Sequence, residues 1–332
     1  MTNRFNAFRI NSDNGAVHGS IVELGLQDLS PGDVVIRTAC AGVNYKDALA
    51  TTDEGKIIRR FPRIGGIDMS GVVETSADSR FRPGDQVIAH SRGLGVEHDG
   101  AFSEYVRVPG DWVVPLPEGL TLVDAAALGV AGYTAALAIH FLEQNGVLPA
   151  SGPILVTGAT GGVASMAIDM LAAKGYAVTA LSAKTSAAER LKALGAAEVL
   201  TNADLADSGK PLDKPRWAGA VDSVGGEQLG RVLRSIQPNG VVASFGNAGG
   251  NEFSGNVLPF ILRGVRLVGV SIPATLALQS AVWARLSTDL KPRHLSESTT
   301  AISLDALPDF IRVMLAGGSQ GRTIVKFDRQ KP

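Results

Sequence analysis

The sequence predicts an α/β protein of two domains, a β-rich first part followed by a doubly wound parallel sheet. Three observations predict it. The chain has 332 residues, more than one hydrophobic core usually supports. Up to about residue 124, short apolar strands alternate with turn residues. Beyond it, helical segments alternate with apolar strands, the pattern of a parallel sheet with helices on its faces.

In the first part, residues 34–39, 71–74 and 86–89 read as strands. Ser30-Pro31-Gly32-Asp33 and Arg82-Pro83-Gly84-Asp85 supply turns. In the second part, strands are expected at 154–157, 177–181, 198–200, 218–223, 241–245 and 266–270. A helix over 186–194 stops at Gly195, a suitable left-handed end, and another over about 276–290 is closed by Pro292. A last strand, 323–327, is expected to return to the first domain.

Composition excludes several classes of function. The formal net charge is −1 and no dense Lys or Arg run occurs, which argues against nucleic acid or an anionic membrane as partner. The N-terminus lacks the apolar core of a signal peptide, and the longest apolar stretch, 123–142, is broken by glycine and polar residues, so no membrane span and a cytoplasmic location are expected. Cys40 is the only cysteine, which rules out an internal disulfide and a zinc site built on several thiolates. Its expected role is a small buried side chain.

The chemistry starts at Ile154-Leu155-Val156-Thr157-Gly158-Ala159-Thr160-Gly161-Gly162-Val163-Ala164, which reads as strand, glycine turn and helix start. Such a turn brings backbone close to phosphate oxygens and aims the N–H groups of the next helix at them, as a dinucleotide pyrophosphate requires. An amphipathic segment, 166–174, and the strand 177–181 complete the unit. After that second strand, a carboxylate would bond the ribose hydroxyls and repel a 2′-phosphate. The residues there are Ser182-Ala183-Lys184-Thr185-Ser186, with no carboxylate, so the cofactor expected is NADPH rather than NADH. Lys184 serves either the phosphate or simply the solvated surface.

Further motifs lie in order along the chain: Asn44-Tyr45-Lys46-Asp47-Ala48-Leu49, Gly55-Lys56-Ile57-Ile58-Arg59, Gly66-Ile67-Asp68, Trp217-Ala218-Gly219-Ala220-Val221-Asp222, Pro259-Phe260-Ile261-Leu262-Arg263-Gly264-Val265 and Gly321-Arg322-Thr323. With these the chain resembles the medium-chain dehydrogenase/reductase superfamily, and within it the acryloyl-CoA reductase group often labelled YhdH-type quinone oxidoreductases. The resemblance implies a GroES-like β-rich catalytic domain, residues 1–124 and 295–332, and a Rossmann NADPH-binding domain, residues 125–294. It implies cofactor contacts from Tyr45, Thr134, Thr160, Gly161, Gly162, Val163, Ser182, Ala183, Lys184, Asn202, Asn247, Ile261 and Arg322, with Thr134 serving equally as a helix-facing core threonine. Ser182-Ala183-Lys184 departs from the Ser-Gly-Arg of relatives, which keeps the charge but loses the planar fork that grips phosphate. A homodimer formed through the strand 266–270 is also implied.

Zinc-dependent members carry a cysteine and a Gly-His-Glu motif where this chain has Asn44 and Gly66-Ile67-Asp68, so no catalytic metal is expected. His18, His90, His98, His140 and His294 are too scattered to suggest another. Without a Lewis acid, reduction of an activated carbon–carbon double bond is the expected reaction; the resemblance implies that the substrate is acryloyl-CoA, giving propanoyl-CoA. Asn44, Tyr45 and Asp47 are the expected catalytic residues: Asn44 donating to the substrate carbonyl, Tyr45 contacting nicotinamide or giving a proton, Asp47 orienting its neighbours. Asn44 and Asp47 serve equally as caps of a helix starting near Ala48. Lys46, Lys56, Arg59 and Arg60, with Arg63, form a basic group for a CoA thioester or a solvated face, and His98 is a turn residue or part of a loop beside the cleft. Two other readings stay open, a general quinone or enone reductase and a non-catalytic NADPH-binding protein.

Overall fold

A computed structural model describes residues 4–205, 207–272 and 275–327. The chain divides into two compact units, Met1–Val130 with Ser296–Pro332, and Ala131–Leu295. These boundaries fall a few residues from those expected at 124 and 294.

The first unit holds a mixed sheet in the order Thr299–Ile302, Arg322–Lys326, Val34–Val43, Asp68–Ser76, Gln86–His90 and Val113–Pro115, with Tyr105–Val108 also pairing with Val34–Val43. Arg322–Lys326, read from sequence as a returning strand, does return here, antiparallel to Val34–Val43. A smaller sheet pairs Ala16–Gly25, Arg4–Asp13 and Arg63–Ile64. Between these sheets lies a core that includes Phe8, Ile10, Ile36, Met69, Val87 and Phe102. The strands run longer than their alternating segments suggest, because residues such as Cys40, Ala41 and Ser70 are buried and continue the ladders. Cys40 is buried in mid-strand, where burial pushes its thiol up to about 11.

The second unit is a six-stranded parallel sheet in the order Glu198–Leu200, Val178–Leu181, Ile154–Thr157, Trp217–Asp222, Ile236–Ser244 and Arg266–Gly269. All six expected strands are present. Ile236–Ser244 begins earlier than expected, since residues up to Gly240 extend it past the apolar run. The helix Gly162–Ala173 follows the glycine turn. The expected helix over 186–194 is a 3-10 turn, Thr185–Ala187, and a short α-helix, Ala188–Ala193, and Gly195 takes a φ of 101° beyond it. The helix expected to reach residue 290 ends at Leu286, before Pro292 can act.

The helix Leu122–Gln144 is long and apolar enough to cross a membrane by length and composition, but it breaks at a glycine, as the sequence leads one to expect. Most of it is buried in the protein, so its apolar length serves a core. Gly129 interrupts it with φ 46° and ψ −149°.

Candidate active site

In the first unit, strand register assembles a buried charge cluster. Thr323 pairs with Val43, which places Arg322 across from Asn44 at the end of the ladder. Ala41 pairs with Met69, which places Asp68 beside Gly42. Arg322 and Asp68 are 3% and 0% exposed, so an unpaired charge here would be costly. Their groups meet at 3.1 Å. The guanidinium also donates to the carbonyls of Val43 (2.8 Å), Ala126 (3.3 Å) and Ala127 (2.9 Å) and to Asn44 Oδ1 (2.8 Å). All of its nitrogens are engaged. Asp68 accepts in addition from Gly42 N–H (2.8 Å), Val130 N–H (2.8 Å) and Asn44 Nδ2 (2.9 Å). Gly42 and Gly129 make room for the pair, since a Cβ at either would run into Arg322 and Asp68.

This cluster changes the expected role of two residues. Arg322 has no donor left for a cofactor, and its contacts are inside the first unit. Asn44 accepts from Arg322 and donates to Asp68, Asp47 and Gly42 O, so its amide has no free hydrogen for a substrate carbonyl. Both side chains are held within the cluster. The helix following Asn44 starts at Tyr45, not near Ala48, and Asp47 Oδ2 accepts the N–H of Asn44 at 2.8 Å. Asp47 is 2% exposed and its Oδ1 has no partner. Burial, and after it the charge of Asp68, raises this carboxyl to about 7. A proton on Oδ1 fits that environment. Tyr45 and Lys46 are the members of the motif that face solvent; Tyr45 is 56% exposed and forms no side-chain hydrogen bond among the described residues.

The other expected residues of this unit divide. Lys46, Lys56, Arg59 and Arg60 are exposed, whereas Arg63 is held by Asp99 and Ser30 and leaves the basic group. His98 lies with Nε2 2.9 Å from Pro31 O and Nδ1 3.2 Å from Asp99 O, edge-on to Trp112, as a turn residue would. His90, across from Asp68 in the sheet, is fully buried, and burial lowers it to about 4, so it stays neutral.

In the second unit, parallel strands place Thr160, Gly161, Ser182, Ala183, Lys184 and Asn247 in loops, Gly162 and Val163 at a helix start and Asn202 at a 3-10 turn, all beyond the carboxyl ends of four strands, the edge where open α/β sheets bind ligands. Gly158 turns with φ 60°, and Gly161 caps the helix Gly162–Ala173, whose opening N–H groups are free of side chains. The Ser182 hydroxyl accepts the Lys184 N–H at 3.0 Å, Ala183 and Lys184 are exposed, and Asn202 Oδ1 accepts from Gln228. Asn247 donates to Asn251. Thr134 is buried on the long helix, and Ile261 stands 70% exposed on the helix Leu258–Arg263.

With this geometry in view, the similarity to known proteins is specific. Residues 30–118 match the alcohol dehydrogenase GroES-like domain family, and residues 162–288 the zinc-binding dehydrogenase family. A Bacillus subtilis protein provisionally named quinone oxidoreductase YhfP is 48% identical over 319 residues, 95% of this chain and 96% of that one. The acrylyl-CoA reductase AcuI of Ruegeria pomeroyi is 40% identical over 325 residues, covering 97% and 98%. The chain belongs to the medium-chain dehydrogenase/reductase superfamily. It is an oxidoreductase. Among solved structures, Escherichia coli K-12 YhdH with bound NADPH superposes with a TM-score of 0.94 at 42% identity, covering 97% of this chain and all of that one.

Within this superfamily the donor set at Asn44 and Asp68 does not fit zinc. A guanidinium already occupies both side chains, and a divalent cation beside it would be repelled. Among the described residues no cluster of three or more His, Cys, Asp or Glu offers another metal site. The glycine turn does fit a dinucleotide. A Cβ on Gly158 would meet the Ser223 hydroxyl, so only glycine lets the turn lie this close to the next strand's loop.

Sequence reasoning gave no role to Asp222, the last residue of the motif Trp217–Asp222, nor to Ser223 and Ser244. Asp222, fully buried at the end of Trp217–Asp222, accepts from Thr157 Oγ1 (2.7 Å), Ser244 Oγ (2.9 Å) and Gly225 N–H (3.1 Å). Ser223 donates its N–H to Thr157 Oγ1 (3.0 Å) and its hydroxyl to Thr157 O (2.8 Å). The network ties Thr157, which opens the glycine turn, to the two strands beyond it. A polar residue ending an otherwise apolar strand was the available signal.

Proposed function

We propose that this protein is an NADPH-dependent reductase of α,β-unsaturated CoA thioesters, converting acryloyl-CoA to propanoyl-CoA without a metal. The observation that carries the reading is the Arg322–Asp68–Asn44 cluster. It leaves no Lewis acid to make an alkoxide and favours an acceptor that is already activated, a double bond conjugated to a thioester carbonyl. The AcuI relative supports that substrate class.

Gly158, Thr160, Gly161, Gly162 and Val163 would hold the pyrophosphate, with Lys184 and Ser182 toward the 2′-phosphate. When bound, NADPH supplies a hydride for the substrate's β-carbon. Negative charge then moves onto the carbonyl oxygen as an enolate, and the α-carbon collects a proton. Tyr45 is the donor for that oxygen or carbon, because its phenol is exposed and has no partner among the described residues, while the Asn44 amide donates to Asp68 and Asp47. Asn44 and Asp47 fix the helix that presents it. Lys46, Lys56, Arg59 and Arg60 supply positive charge for a polyanionic substrate.

The acting species is a cytoplasmic homodimer. Arg266–Gly269 is an edge strand, and Ile261 and Leu262 on the helix before it are exposed, as is Val257 at that helix's N-cap. A reading as quinone reductase is favoured by the name of the YhfP relative. Offering acryloyl-CoA, crotonyl-CoA and a small quinone in parallel, with NADPH consumption followed by absorbance, separates the two. Turnover confined to the thioesters is expected. Turnover of the quinone alone overturns the proposal.

A further inference from the structure

A groove in the first unit is unrelated to the charge cluster. Its volume is about 490 Å³, within the range of about 300–1,000 Å³ typical of ligand sites. One wall is the tip of the hairpin Arg4–Asp13/Ala16–Gly25, the other the segment 50–61. Val17, Ala50, Ile57, Ile58 and Phe61 give it apolar sides. The walls are joined where Val17 N–H donates to Asp53 Oδ1 at 2.7 Å, and Asp53 Oδ2 accepts no hydrogen bond among the described residues. Lys56 and Arg59 line the same groove, exposed, and neither forms an ion pair among the described residues. An apolar slot with two uncompensated cations and one carboxylate acceptor suits a flat heterocycle that carries an amine and phosphates.

We infer that this groove binds the adenosine 3′,5′-bisphosphate end of the CoA substrate. The inference rests on the thioester reading above and assigns its nucleotide a place. The adenine lies against the apolar walls with its exocyclic amine donated to Asp53, and the phosphates face Lys56 and Arg59. Lys46 and Arg60 do not line the groove. Position supports the assignment: Ala50, in the groove, lies five residues along the Tyr45–Leu49 helix from Tyr45, about 7–8 Å at 1.5 Å per residue. A pantetheine arm spans that distance easily.

The test uses the full-length protein saturated with NADP⁺, so that the dinucleotide site is filled, titrated calorimetrically with adenosine 3′,5′-bisphosphate. Lys56→Ala and Arg59→Ala should each weaken binding about ten-fold, with Arg82→Ala as a charge control that leaves it unchanged. In turnover, the double variant should raise KM for acryloyl-CoA and leave kcat/KM for S-acryloyl-pantetheine, which lacks the nucleotide, as in wild type. Unchanged bisphosphate binding, or equal losses for the two thioesters, overturns the groove assignment while the reductase stands. Failure to reduce either thioester while a quinone is reduced overturns the reductase reading, and calorimetry alone then decides the groove.

Discussion

Replacing Asp47 by Asn should flatten the pH dependence of stability in the first unit. The carboxyl has one oxygen on the Asn44 N–H and one with no partner, in a site 2% exposed, and its value rises from an ordinary 3.8 to about 7. Because the folded value lies above the unfolded one, the folded state holds the extra proton in between. The contribution is full below pH 3.8, falls through the window up to about 7, and is gone above it. At 1.36 kcal/mol per pH unit the whole effect is about 4 kcal/mol, of which about 2.5 kcal/mol falls between pH 5 and 8. Asn is neutral throughout, and its Oδ1 can accept the Asn44 N–H. Thermal unfolding of both proteins at a series of pH values isolates the group, since all other titrations cancel in the difference. From pH 5 to 8 wild type should lose about 5–10 °C relative to Asp47→Asn in the transition of this unit. Parallel profiles would refute the reasoning and mean that Asp47 is ionised in the folded protein.

Arg322→Met strands the Asp68 carboxylate in a buried site and should cost about 3–5 kcal/mol by denaturant unfolding, with Arg322→Lys recovering only part because an ammonium lacks the five-donor fork; a near-neutral Arg322→Met would mean that Asp68 is not buried as a charge. Asp222→Asn removes an acceptor shared by Thr157, Ser244 and Gly225, so the glycine turn loosens and NADPH, titrated by fluorescence, should bind about ten-fold more weakly. An unchanged Kd would show that the network serves the sheet alone. Lys184→Ala should weaken NADPH about three- to ten-fold and leave NADH unchanged; equal losses for the two cofactors would remove Lys184 from the 2′-phosphate.

The sequence by itself determined the elements and their kind. Periodicity and turn chemistry are local, so the strand Ile154–Thr157, the turn at Gly158, the helix after it and all six parallel strands could be read without coordinates. The cofactor type followed in the same way, from the residues after one strand. Element ends were less legible, because Val34–Val43 and Ile236–Ser244 extend through residues whose own pattern does not demand a strand. Only the tertiary structure decided which partners the candidate site residues have. Asn44 and Arg322 are 278 residues apart, Asp68 and Arg322 254 apart, and they meet through register across two strand pairs. That meeting engages the side chains of an expected substrate donor and an expected cofactor contact in one charge cluster, while Tyr45 and Lys46 stay exposed. The same holds for Asp222, whose partners come from neighbouring strands, and for the groove that separates Lys56 and Arg59 from Lys46 and Arg60. Side chains distant in sequence take their chemistry from burial and from which partner consumes each donor, and a one-dimensional pattern carries neither.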